Sequence, residues 1–171
     1  MVTSAKTRPS DDADVRRALE VAGEVPDPEI PVLSLADLGV LRGAERRGGQ
    51  IVVRITPTYT GCPATLAIRL AVEAALLDAG LRTARVETVI SPPWTTDDIT
   101  EAGRAKLASY GIAPPARGAR SVRGLFQVDA VACPRCGATQ TERIAEFGST
   151  ACKALYRCLA CREPFEYFKC L

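Results

Sequence analysis

Cys133-Pro-Arg-Cys136-Gly137 and Cys158-Leu-Ala-Cys161 decide how the C-terminal part of this chain folds. Each is a CxxC knuckle, a tight turn that aims two sulfurs at one point, and 21 residues separate the two. Two such turns on neighbouring hairpins close a tetrahedron around a metal ion. Gly137 suits the first knuckle, where the backbone turns back with positive φ. Strand-like pieces surround the knuckles at Thr141 to Phe147, Leu155 to Arg157 and Phe165 to Phe168. This is the pattern of a zinc ribbon. Zinc is the expected metal, with Cys133, Cys136, Cys158 and Cys161 as ligands, and its role is structural because four thiolates leave no open position. Iron in a rubredoxin-like tetrathiolate is chemically allowed, since geometry does not separate the two metals.

Three cysteines remain outside the knuckles, of seven in all, and the chain has no histidine. Any transition-metal site must then use thiolates or carboxylates, and a Ser/His/Asp or Cys/His nucleophile is excluded. A di-iron carboxylate site built on Glu-x-x-His is excluded too. Cys62 stands in Thr58-Tyr-Thr-Gly-Cys-Pro63, just before a helix that Pro63 opens as its first residue. The free N–H groups and the positive end of the helix dipole favour a thiolate there. Such a thiolate binds iron or attacks an electrophile; the alternative is a small residue packed in a turn. Cys152 and Cys170 flank the second knuckle, either as packing or as a labile thiol pair.

Upstream of the ribbon the pattern is helix, strand, strand, helix, strand, helix. Asp11 to Val25 is a helix with Val15, Ala18, Leu19 and Ala22 on one face, stopped by prolines at 26, 28 and 31. Val40 to Arg46 and Gln50 to Thr56 are strands joined at Gly48-Gly49. Pro63 to Ala79 is a helix with apolar residues most of the way round, so most of it should be buried. Arg82 to Ile90 is a third strand, with Ala84, Val86, Thr88 and Ile90 on one face. Asp97 to Tyr110 is a helix that buries Ile99, Ala102, Leu107 and Tyr110. Trp94 packs over the loop before it, and Asp27 and Glu29 sit in a proline-framed loop, as turn caps or as a carboxylate pair.

The expected fold class is α+β: a small sheet packed with helices over residues 11–111, a linker at 112–124, and the four-cysteine ribbon at 125–171, opened by a short strand from Leu125 to Val131. Residues 1–10 are polar and read as a disordered tail without an apolar signal region. With 22 basic and 20 acidic residues the chain does not advertise a nucleic-acid partner, and no apolar run is long enough to span a membrane. Paired cysteines without a secretory signal indicate a cytoplasmic, metal-binding protein. The apolar helix after Cys62 leaves a homodimer open.

Four stretches resemble the SufT-like domain family of iron–sulfur assembly factors: Asp27-Pro-Glu-Ile-Pro, Asp37-Leu-Gly-Val-Leu, Thr60-Gly-Cys62-Pro and Pro92-Pro-Trp-Thr-Thr. The tail, Phe147-Gly-Ser-Thr-Ala-Cys-Lys-Ala-Leu-Tyr-Arg-Cys158 with Glu163-Pro-Phe-Glu-Tyr-Phe-Lys-Cys170, is similar to the PaaD family, the D subunits encoded with bacterial phenylacetyl-CoA epoxidase. The resemblance implies a non-enzymatic accessory factor. It would mature the di-iron or iron–sulfur centres of the multicomponent epoxidase in aerobic phenylacetate degradation. Its partners would be the other subunits of that complex. The family's reactive cysteine falls on Cys62, as a transient ligand of iron or an iron–sulfur cluster. One departure is Asp98, where an aromatic residue is expected. The competing function is an electron-transfer module with iron in the four-cysteine site.

Overall fold

A computed structural model describes residues 12–59, 61–118 and 131–169. The tail at 1–10, residues 125–130 of the expected strand, the end of the linker and Cys170 lie outside the described residues.

The first domain begins with α1 (Ala13–Glu24), capped by Asp12, whose carboxyl accepts the N–H groups of Asp14 and Val15. Val15, Ala18 and Ala22 are its buried stripe, as the spacing predicts. A four-residue helix, α2 (Leu35–Leu38), follows, and periodicity does not predict it. Its signal is local: Ser34 and Asp37 form a reciprocal capping box, with bonds of 3.1 and 3.0 Å. Gly39 ends it at φ +70°, and a Cβ there would stand 2.1 Å from the Asp98 carbonyl oxygen. Glycine is therefore required both by the left-handed turn and by the close approach of the loop before α4.

β1 (Leu41–Arg47) and β2 (Gln50–Ile55) are an antiparallel hairpin. The chain then passes through α3 (Ala64–Asp78) to β3 (Ala84–Thr88), which pairs with β2 in parallel. The sheet order is β1-β2-β3. Ile51, Val53 and Ile55 point into the core with Val72 and Leu76 of α3. Two expectations fail here. Leu66, Leu70 and Leu77 of α3 are each more than half exposed, because the sheet offers the helix one face only. On β3 only Val86 is buried, and Ile90 lies beyond the strand and is exposed.

A single 3₁₀ turn, Thr96–Asp98, precedes α4 (Glu101–Ser109), so that helix starts later than its apolar spacing predicts. Thr100 caps it through the Gly103 N–H. Leu107 is buried as expected, while Tyr110 is the exposed C-cap. Asp98, in place of the expected aromatic, accepts the Thr95 N–H and pairs with Arg42 at 3.1 Å.

Asp37 ties α2 to α4 through Lys106 Nζ at 2.6 Å. Burial opposes its charge, yet the Lys106 ammonium and the N–H and hydroxyl of Ser34 hold its carboxyl below the ordinary carboxylate range. A depressed folded value contributes stability above the unfolded value of 3.8, and that stability is lost as pH falls through the folded value. Between about pH 5 and pH 3 the wild type should therefore lose stability more steeply than Asp37→Asn. Urea unfolding across that range is the check; equal slopes would remove Asp37 from the acid response.

The expected linker is structured at its start. Ile112–Ala113 form β4, which pairs in parallel with β7 (Pro164–Phe168). With β5 (Thr141–Ala145) and β6 (Lys153–Cys158) they make a second sheet of order β4-β7-β6-β5. The chain is thus an α+β domain with a small sheet, followed by a C-terminal ribbon. The two are packed together. Phe165 and Tyr167 join the ribbon's own cluster, whereas Phe168, on the opposite face of β7, enters the core of the first domain. There it lies 6.1 Å, ring to ring, from Trp94.

Candidate functional site

The two knuckles rise from the ends of the ribbon hairpins. In the first, the Gly137 N–H donates to the Cys133 carbonyl at 2.8 Å, and Gly137 has φ +74°. Arg162 occupies the same place after Cys158 as Gly137 does after Cys133, and it takes φ +63° without being glycine. The turn geometry is thus imposed in the second knuckle and intrinsic in the first. The sulfurs of Cys133, Cys136, Cys158 and Cys161 all lie within 4.8 Å of one another. The Cys136–Cys158 and Cys133–Cys161 pairs stand at 3.6 and 3.8 Å. A tetrahedral thiolate shell with metal–sulfur bonds of about 2.3 Å has edges of about 3.8 Å, so the four fit zinc or iron.

The backbone and the neighbouring sulfurs push two of these thiols in opposite directions. Backbone N–H groups of Cys161 and Ala160 aim at the Cys158 sulfur and bring its thiol down to about 7. The Glu163 N–H favours a Cys161 thiolate, but desolvation and the neighbouring sulfurs outweigh it and push that thiol up. Four thiolates this close do not coexist without a metal ion.

Cys62 is not part of this cluster. The helix α3 begins at Ala64 with Pro63 as its N-cap and no side-chain cap, so Cys62 stands just outside the helix rather than on it. Its N–H donates to the Tyr59 carbonyl at 3.2 Å. Cys62 is half-buried and faces a small cavity between the two modules, ≈ 20 Å³ of room for water-sized groups, partly open to solvent. Asp27, Glu29 and Thr58 line it from the first domain, and Cys152 and Phe168 line it from the ribbon. Asp27 is buried and takes the N–H groups of Glu29 and Ile30 on one oxygen, at 2.9 and 2.8 Å. It is therefore a turn cap, and it also borders the cavity beside Glu29. Burial pushes the Asp27 carboxyl up despite these two bonds.

Cys152 is the residue that sequence reasoning left without a place. It precedes β6, is buried in the core of the first domain, and reaches the same cavity as Cys62. Its sulfur lies 3.0 Å from the Thr150 hydroxyl and 3.7 Å from a Glu29 carboxyl oxygen, to which the thiol donates. Desolvation first, and then the nearby Glu29 and Asp27 carboxyls, push the thiol up to about 11, against the Thr150 hydroxyl and Lys153.

A small α+β domain carrying a four-cysteine metal ribbon is the class that this fold and cluster define. Residues 12–89 match the family described as iron-sulfur cluster assembly protein, and residues 118–169 match the PaaD zinc beta ribbon domain. A protein of Escherichia coli (strain K12), provisionally named as the D subunit of 1,2-phenylacetyl-CoA epoxidase, is 48% identical over 148 residues. That match covers 86% of this chain and 88% of the relative. The chain belongs to the PaaD family. A domain of unknown function, DUF59, from Bacillus anthracis shares the fold of the first domain. Its TM-score is 0.51 at 22% identity, over 56% of this chain and 92% of that one. A Mycobacterium tuberculosis protein described as associated with Fe-S complex assembly and repair is 33% identical over 63% of this chain and 93% of its own, with a TM-score of 0.33.

Proposed function

We propose that this protein is an accessory factor of a multicomponent phenylacetyl-CoA epoxidase, which matures that system's metal centres rather than catalysing epoxidation. The ribbon carries a structural zinc on Cys133, Cys136, Cys158 and Cys161. Cys62 is the working residue, which holds iron or an iron–sulfur cluster in transit to a di-iron or iron–sulfur centre of a partner protein. The observation that carries this reading is the contrast between the two sets of sulfurs. The ribbon's four close on one another, whereas Cys62 opens onto a partly accessible cavity with carboxyl groups and an incomplete donor set. A carrier has to release its cargo, and only the second arrangement leaves coordination positions for transfer. The relative's name and the assembly-type domain point to the same system.

In cells lacking the native protein, Cys62→Ser should restore less than about a tenth of the epoxidase activity that wild type restores, a transfer-step loss above about 1.4 kcal/mol. Its zinc content and expression should be unchanged. Full restoration would reject the role of Cys62. The same sulfur spacing that fits zinc also fits iron, which supports a second reading as an electron-transfer module. That reading requires a red, redox-active protein as isolated; a colourless protein with one zinc removes it.

A further inference from the structure

The ribbon hands one cysteine to the other module. Cys152 belongs to the ribbon by sequence, yet it is buried with the core of the first domain and not with the ribbon's cluster of Val131, Cys133, Cys158 and Phe165. Cys62 packs against that same core. The two thiols and the carboxyls of Glu29 and Asp27 all border one cavity, and among the described residues no lysine or arginine borders it. Lys153, the next residue along, is itself buried and is taken up by Glu166 at 2.8 Å. Tyr59 senses three of these groups at once: after desolvation, the electrostatic influence of Cys62, Glu29 and Cys152 pushes its phenol up. Two thiols and two carboxyls, contributed by both modules, thus converge on one partly open cavity. Soft and oxygen donors together are the kind of set that a transition-metal ion takes.

We infer that Cys152 and Glu29 join Cys62 as ligands of one site for a soft divalent metal ion, ferrous iron in transit, at the junction of the two modules. This rests on the reading of Cys62 as the residue that holds iron. Two thiolates and a carboxylate are a donor set for iron, zinc or cobalt, and not for magnesium or calcium. Binding expels the two thiol protons and forms two metal–sulfur bonds and one metal–oxygen bond, with no change of oxidation state. The Glu29 carboxyl lies 3.7 Å from the Cys152 sulfur, so both can face one ion, and the two thiol protons pass to solvent as the metal binds. Unlike the ribbon sulfurs, these donors are not gathered into a closed cluster among the described residues, and Cys62, on the loop ahead of α3, completes the set around the ion. A loose set of three donors, one of them oxygen, releases metal more readily than a closed tetrathiolate. It is also complete only when ribbon and first domain are docked.

The test uses the full chain, purified without oxygen and holding its ribbon metal, titrated with cobalt(II) as a spectroscopic stand-in for ferrous iron. Wild type should bind one cobalt beyond the ribbon metal, with thiolate-to-cobalt charge-transfer absorption. Cys152→Ser and Glu29→Gln should each weaken that binding at least tenfold, and Cys152→Ser should halve the charge-transfer intensity. Cys152→Ala, with a thermal unfolding curve like that of wild type, guards against misfolding. If Cys62→Ser abolishes the extra site while Cys152 and Glu29 variants bind as wild type does, this inference fails and the Cys62 reading stands. If wild type binds no metal beyond the ribbon, both fail. A Cys62–Cys152 disulfide that forms readily in a protein that takes up no cobalt also overturns the site.

Discussion

Removing the ribbon metal, by a strong chelator or by Cys158→Ser, is expected to unfold the ribbon and to loosen the first domain with it. A structural zinc contributes on the order of 10–16 kcal/mol of apparent binding energy to the module that it folds. The ribbon has little to replace it. Among the described residues its own cluster is Ala113, Val131, Cys133, Cys158 and Phe165, so two of these five buried residues are cysteines of the proposed metal site. A module of this size does not hold a fold on so small a core. The effect should spread, because Phe168 and Cys152 are part of the first domain's core and β4 ties the end of α4 to β7. Chelated protein should show fast amide exchange across 131–169 and a lower melting temperature for the remainder. Low pH should speed metal loss, since thiolates are the competing proton acceptors. A ribbon that stayed protected after losing its metal would mean that packing alone folds it.

What the sequence shows of this molecule divides along a physical line. The CxxC knuckles are legible because a metal needs ligands at fixed short spacing, and the structure brings those four sulfurs together. The hairpin of β1 and β2 and the helices α1 and α3 are legible because apolar period and turn residues are local properties. Three features were not legible. α2 is too short to show a period, and only the Ser34–Asp37 pair marks it. The exposure of Leu66, Leu70 and Leu77 depends on how many layers cover α3, which composition does not reveal. Cys152 lies near the second knuckle in sequence, yet its position is set by how the ribbon sheet docks. A usable hint existed in β7: Phe165 and Phe168 have opposite parity on a strand, so one of them had to face away from the ribbon's own core.

Trp94→Ala should then cost about 3–5 kcal/mol, a large part of the roughly 5–15 kcal/mol that a domain has in all. Trp94 is almost fully buried, and its indole Nε1–H donates to the Leu38 carbonyl at 2.8 Å. It thereby holds the loop before α4 onto the end of α2, and its ring meets Phe168 of the ribbon at a tilt of 56°. Trp94→Phe separates these contributions. It keeps most of the apolar contact and strands the Leu38 carbonyl, for an expected loss of about 1–3 kcal/mol. Combined with Phe168→Leu, it should reveal a coupling of about 0.5–1.5 kcal/mol, the usual range for an aromatic pair. The location of the damage matters as much as its size. If the two modules share one core at this contact, Trp94→Ala should raise the reactivity of Cys152 toward a thiol reagent while the ribbon metal stays bound. Urea unfolding and thiol labelling on the same variant give both numbers. A destabilised Trp94→Ala whose Cys152 stays as protected as in wild type would mean that Phe168, Cys152 and the β4–β7 pairing hold the ribbon to the first domain without the tryptophan, and that the junction cavity does not depend on it.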